Sequence, residues 1–229
     1  MFLIGGPAFS GTTLLALLLN RNGIVCLDEP DFHDPAQSHR GIPLLRRLFP
    51  DRDLPEHSAG PLSYEDAVRV IGECERAIHP CELGIKTCDW PFLRYAEVYA
   101  RLGHPVVCIV RDIRDALARP LPPWVDEAGL NRRYRLIWER STTADLLVRY
   151  EELVRDPARV LAEVSRALLL PFDASPAWDP ARVPPEMLKL DRHELLLSGG
   201  ISSARVGIWR AAGRSFSPES HATARMMGY

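Results

Sequence analysis

Short apolar runs alternate along this chain with longer stretches of helical periodicity, and that alternation sets the expected fold. Phe2, Leu3 and Ile4 read as a first buried strand. The glycine-bounded stretch "GGPAFSGTT" (5–13) follows, then an apolar-rich helix over Leu14 to Asn20 with Gly23 placed to end it. "IVCLDEP" (24–30) reads as a second strand that delivers Asp28 and Glu29 at its C-terminal end. "SYEDAVRVIGECERAI" (63–78) opens on an N-cap serine with an aspartate three positions on, a capping-box variant ahead of an amphipathic helix. "LGIKTC" (83–88) is a strand end or turn, and "FLRYAEVYARLG" (92–103) a helix stopped by Gly103. "PVVCIVRD" (105–112) is the clearest buried parallel strand, an apolar run closed by charge.

After it, "IRDALAR" starts a helix that "PLPP" (120–123) must break, because Pro122 and Pro123 cannot continue one. A helix over Leu130 to Glu139, the strand "LLVRY" (146–150) and a helix capped by Asp156 and Pro157 and running to Leu170 complete the pattern. Residues 31–63 turn to Pro, His, Asp and Arg and read as a long loop with a short helix around Leu44 to Leu48, a lid or acceptor wall. Residues 171–229 read as an irregular C-terminal segment with a polar tail. Strands alternating with helices predict an α/β fold, a single domain over 1–229 with a parallel sheet covered on both faces. Ligands bind at the carboxyl ends of such strands. Those ends carry the glycine loop, Asp28 and Glu29, Lys86 and Arg111.

Composition narrows the partners. The formal net charge of -2 argues against a general basic field for nucleic acid. The chain opens on its first predicted strand without a charged leader, and no apolar run approaches membrane-spanning length, so it reads as cytoplasmic, with no membrane partner. Five cysteines without a CxxC pair suggest neither a disulfide scaffold nor a zinc ribbon. Cys74, Cys81 and Cys88, evenly spaced near His79, read as small hydrophobes rather than as a metal site. Lys86 and Lys189 are the only lysines in an arginine-rich chain.

Gly6 to Thr13 has the Gly-x-x-x-x-Gly spacing of a phosphate-binding loop, but Thr12 and Thr13 stand where an NTPase loop has its Lys-Ser/Thr. Alone, the loop is compatible with a mere tight turn. With "CIVRDIRDAL", "LLVRYEELVRDP" and "RVGIWR" following "SGTTLL" in this order, the chain resembles PAPS-dependent sulfotransferases of bacterial type from Phe2 to about Arg210. The resemblance implies a three-layer α/β/α P-loop fold, PAPS as donor, PAP as product, no metal, and a small-molecule hydroxyl or amine as acceptor. It assigns Ala8, Phe9, Ser10, Gly11, Thr12 and Thr13 to the loop that holds the 5′-phosphosulfate, and Arg111 to the 3′-phosphate. Tyr150 is placed near the adenine, and Arg205, Val206 and Gly207 in a late segment that folds over the 3′-phosphate.

Three positions depart from the pattern, one of them Cys88, where the small-molecule branch has a histidine. Related enzymes carry lysine or arginine immediately before Ser-Gly-Thr, where this chain has Phe9. They usually have a serine assisting Arg111 where this chain has Arg119, whose guanidinium can hold the 3′-phosphate bidentately. Lys86, which matches a lysine beside the transferring group, is the expected source of the missing charge. The base is expected to be Glu29, with His33 and Asp89 in reserve. Asp28 and Glu29, adjacent on a strand, should face opposite sides, so that only one enters the site. A catalytically impaired PAP- or PAPS-binding pseudoenzyme and a small-molecule P-loop kinase with Asp112 as metal ligand are the alternatives. Oligomeric state is not legible.

Overall fold

Five strands, β1 (Phe2–Gly5), β2 (Val25–Asp28), β3 (Leu83–Lys86), β4 (Val106–Val110) and β5 (Leu146–Arg149), pair in parallel in the order β2-β3-β1-β4-β5. The computed structural model describes residues 1–22, 24–29, 42, 45–46, 49–56, 63–79, 82–170 and 201–229. Helices α1 (Thr12–Arg21), α2 (Tyr64–Ile78), α3 (Asp89–Arg101), α4 (Ile113–Leu117), α5 (Glu127–Arg140), α6 (Tyr150–Arg155), α7 (Pro157–Leu168) and α8 (Pro218–Met226) accompany the sheet. Gly23, His33, Cys81, Lys189, residues 171–200 and most of 31–63 lie outside the described residues. Of the helix expected around Leu44 to Leu48, Leu45 and Arg46 are helical.

The unbroken apolar runs have a direct cause, since the sheet is buried on both faces and neither side of a strand meets water. Along β4, Val106, Cys108 and Val110 join Leu3, Leu27 and Ile85 in a core packed beneath α2, α3 and α5. The alternate residues Val107 and Ile109 join Phe2, Ile4, Cys26 and Val148 in a second core beneath α1 and α7. The strand period of two therefore produces the three layers.

Capping follows the sequence at several ends. Ser63 Oγ accepts the Asp66 N–H at 3.1 Å, and Asp156 accepts the Arg159 N–H. Helix α3 begins at Asp89, earlier than the expected Phe92, and Tyr150 opens the short helix α6 rather than closing β5. The tail past residue 201 is more ordered than its polarity suggested. Ser217 caps α8, with Pro218 in the first turn. Buried Asn131 on α5 donates to Ser220 Oγ at 2.8 Å, and Arg135 donates to Thr223 Oγ1 at 2.9 Å. Tyr229 donates to Glu151 at 2.8 Å.

Glu127, at the start of α5, anchors this tail by accepting from the Ser217 N–H at 2.8 Å and the Ser220 hydroxyl at 2.7 Å. Burial pushes its carboxyl up, but the Ser220 and Ser217 hydrogen bonds, aided by Arg214, outweigh this and hold it below the ordinary glutamate value of 4.5. A depressed carboxyl stabilises the fold at neutral pH, and that contribution is lost as pH falls through the native pKa. Glu127→Gln should destabilise the protein by about 1 kcal/mol near pH 7. In urea titrations this difference should shrink towards zero as pH falls below the ordinary glutamate range.

Candidate active site

Strand order places β1 between pairs that diverge to either side, so the loop after β1 lies at the point where connections leave in opposite directions. Its conformation is fixed by contacts that exclude side chains. A Cβ on Gly6 would lie 2.0 Å from the Ile109 carbonyl oxygen, so the loop backbone rests directly on β4. Gly11 adopts φ 104°, and a Cβ there would lie 2.5 Å from the Tyr150 ring. Gly11 has no side chain to cap α1, and the first amide bonded back is Leu15 N–H to Gly11 O at 3.1 Å. The first-turn amides ahead of Leu15 are thus aimed, with the positive end of the helix dipole, into the loop.

Phe9, Glu29 and Asp89 all occupy left-handed backbone, at φ 68°, 49° and 54°. Such conformations in non-glycine residues cost of order 1–3 kcal/mol each and tend to cluster at functional sites. Asp89 shows how the loop is braced. Its Oδ1 accepts the Ala8 N–H at 2.8 Å, its own N–H donates to Gly6 O at 3.0 Å, and Arg133 of α5 holds Oδ2 at 2.7 Å. Tyr134 donates to Ala8 O at 3.3 Å. Asp89 is therefore committed to the loop, which leaves it poorly disposed to act as a base.

Lys86, at the end of β3 and opposite Ile4 of β1, is buried, and its Nζ donates to Asp28 Oδ1 at 2.7 Å and Glu29 Oε1 at 2.8 Å. Burial alone would lower its pKa, but the Asp28 and Glu29 charges outweigh burial and hold the ammonium form well above the ordinary lysine range. Both carboxylates reach the same ammonium, contrary to the expectation that only one would face the site. Glu29 lies just past β2 in left-handed backbone, where strand alternation no longer applies. Cys88 donates to Glu29 Oε1 at 3.2 Å, and burial pushes its thiol up to about 12.

On the other side of β1, Arg111 follows β4 and is 2% exposed. Its Nη2 donates to the Arg205 carbonyl, Asp115 Oδ2 is 3.7 Å away, and its guanidinium carbon lies 4.4 Å from the Tyr150 ring centroid. Asp115 in turn accepts the Gly207 N–H at 2.7 Å and the Trp209 N–H at 3.1 Å. Arg111 and Asp115 thus form a buried assembly. Val206 packs against the second core, whereas the Arg205 side chain is exposed. Arg114 stacks on Trp209 at 4.0 Å.

Among the buried side-chain polar atoms without a hydrogen-bond partner are Ser10 Oγ in the loop, Thr87 Oγ1 just past β3 and Arg111 Nε. A buried donor without an acceptor is costly, so such atoms point to a ligand. The amides at the α1 terminus and the Arg111 guanidinium are each suited to receive an anionic group. Asp112, by contrast, caps α4 and pairs with Arg114 through both carboxylate oxygens, at 2.9 and 2.8 Å, so it is engaged as a structural group. Among the described residues no group of three or more His, Cys, Asp or Glu side chains is arranged to hold a metal ion.

Sequence reasoning missed Arg133 and gave Asp115 no role in the site. For Asp115 a signal existed, its helical spacing from Arg111. For Arg133 none did, because its partner Asp89 belongs to another element far along the chain. The guanidinium carbon of Arg119, expected beside Arg111, lies 5.4 Å from the Phe9 ring centroid. Gly11→Ala should lose about 1–2 kcal/mol of stability from left-handed backbone alone. Adding Tyr150→Ala should relieve the clash but not that strain, a residual deficit that urea denaturation of the single and double variants would resolve.

No family model matches the chain, and no curated protein matches it by sequence. Solved structures do. The sulfotransferase domain of the Synechococcus PCC 7002 olefin synthase aligns at TM-score 0.65 and 18% identity, covering 100% of this chain and 94% of that one. The sulfotransferase domain from the curacin biosynthetic pathway aligns at TM-score 0.61 and 15% identity, covering 100% and 97%. Mouse sulfotransferase SULT7A1 complexed with PAP aligns at TM-score 0.47 and 15% identity over 96% and 80%. At such identities the first two likenesses are of architecture, and on that ground the chain has the α/β fold of sulfotransferase domains.

Proposed function

We propose that this protein is a sulfotransferase that moves a sulfuryl group from PAPS to a hydroxyl or amine of a small-molecule acceptor. The observation that carries the reading is the pairing of unpartnered Ser10 Oγ, within the glycine loop, with unpartnered Arg111 Nε, just past the end of β4. ATP has its phosphates in one chain, whereas PAPS has phosphate groups at both the 3′ and 5′ positions. A permanently charged guanidinium set apart from the loop suits the second of these. When bound, PAPS supplies an activated sulfuryl group and leaves as the 3′,5′-bisphosphate.

The residues divide the work accordingly. The α1 amides with Ser10, Thr12 and Thr13 hold the 5′ end, while Arg111 and the Arg205 to Gly207 segment hold the 3′-phosphate. Lys86, kept charged, places positive potential at the same sheet edge, where charge stabilisation supplies most of the catalysis in transfers of this type. Glu29, beside it, takes the proton from the acceptor. His33, a reserve base, lies outside the described residues. A second reading, a binding protein without transfer, is favoured by one observation: two carboxylates already compete for Lys86.

Titration calorimetry without Mg²⁺ should show 3′,5′-ADP binding at least tenfold more tightly than ADP. Arg111→Ala should remove that preference, and equal binding of the two nucleotides would refute the assignment. In an acceptor screen with PAPS, Lys86→Ala and Glu29→Gln should each abolish transfer while leaving 3′,5′-ADP binding within a few-fold. Tight bisphosphate binding without transfer to any acceptor would select the second reading.

A further inference from the structure

Two of the positions at which this chain departs from the sulfotransferase pattern touch each other. Phe9 stands where related enzymes have a basic residue, and Arg119 where they usually have a serine. The guanidinium of Arg119 lies 5.4 Å from the Phe9 ring centroid, within the range of a cation–π contact. We infer that the two substitutions are a single exchange: the cation of the phosphosulfate loop has moved to Arg119, and Phe9 is the platform that seats it. This inference rests on the donor reading proposed above and assigns Arg119 to the 5′ end of the donor rather than to the 3′-phosphate.

Geometry supports that end of the site. Phe9 precedes Ser10, whose buried hydroxyl has no hydrogen-bond partner, and it sits in left-handed backbone, a conformation that a bulky residue seldom adopts without purpose. Arg111 lies before α4 and Arg119 beyond it. A helix carries the chain about 1.5 Å along its axis per residue, so the two guanidinium groups start from opposite ends of α4. Arg111 is engaged by the Arg205 carbonyl, Asp115 and Tyr150, and Arg119 by Phe9 of the loop. The base of Arg119 is also fixed. The Ala118 N–H donates to Arg114 O at 2.8 Å, and buried Leu117 accepts from Arg214 at 3.0 Å. Half-buried and stacked on a ring, Arg119 is pre-organised to reach an anion with less entropy lost than a lysine on the loop would require.

Two ligands and three variants test this. By calorimetry without Mg²⁺, Arg119→Ala should weaken 3′,5′-ADP binding about 10- to 100-fold while leaving 3′-AMP, which lacks the 5′-phosphate, unchanged. Adding Phe9→Lys to Arg119→Ala should recover most of the lost affinity, which a merely structural role for Arg119 would not allow. Arg119→Gln, of similar length but uncharged, should behave like the alanine variant with an unchanged melting temperature. Unchanged binding of 3′,5′-ADP by Arg119→Gln would overturn the inference, as would an equal loss for 3′-AMP, which would return Arg119 to the 3′-phosphate. Wild-type protein that does not distinguish 3′,5′-ADP from ADP would refute the donor reading itself, and this inference with it.

Discussion

A guanidinium remains charged at any pH a protein meets, so burying Arg111 at the end of β4 obliges the surrounding chain to compensate it. Much of the described C-terminal architecture can be understood from that obligation. The Arg205 carbonyl, the Tyr150 ring and the Asp115 carboxylate converge on the side chain from three separate elements. Asp115 then binds the Gly207 and Trp209 amides, which draws the late segment over the sheet edge. Even so, Nε keeps no hydrogen-bond partner, a deficit that the anion of the proposed donor would satisfy.

The opposite flank of β1 has an excess of the other sign. Asp28 and Glu29 bracket Lys86, and Asp89 is bound between Ala8 and Arg133. The loop is thus braced by an internal carboxylate, while its helix amides remain directed at the site. Preorganisation of this kind means that dipoles need not be rearranged when charge arrives, which is where electrostatic stabilisation gains its advantage over water. The strained backbone at Phe9, Glu29 and Asp89 is the accompanying cost, held in place by a sheet buried on both faces.

The elements were legible because their signals are local. Ser63 and Asp156 announced helix starts, and the unbroken apolar run of β4 announced burial on both faces. Where local signals misled, tertiary contacts had intervened. The tail past residue 201 looked polar because Ser217, Ser220 and Thr223 are polar, yet those groups face Glu127, Asn131 and Arg135 across an interface. Tyr150 looked like a strand end because the turn into α6 is short.

By itself, the sequence determined the order of strands and helices, the strand ends at which chemistry gathers, and the placement of the glycine loop, Lys86, Glu29 and Arg111 at those ends. These follow from hydrophobic periodicity and from glycine and proline placement, which act over a few residues. Only the tertiary structure decided who partners whom. It brought both Asp28 and Glu29 to Lys86, Arg133 to Asp89, and Arg119 to Phe9. Coulomb and cation–π interactions act through space between residues far apart in the chain, and no local pattern records which of many arginines will meet which ring or carboxylate.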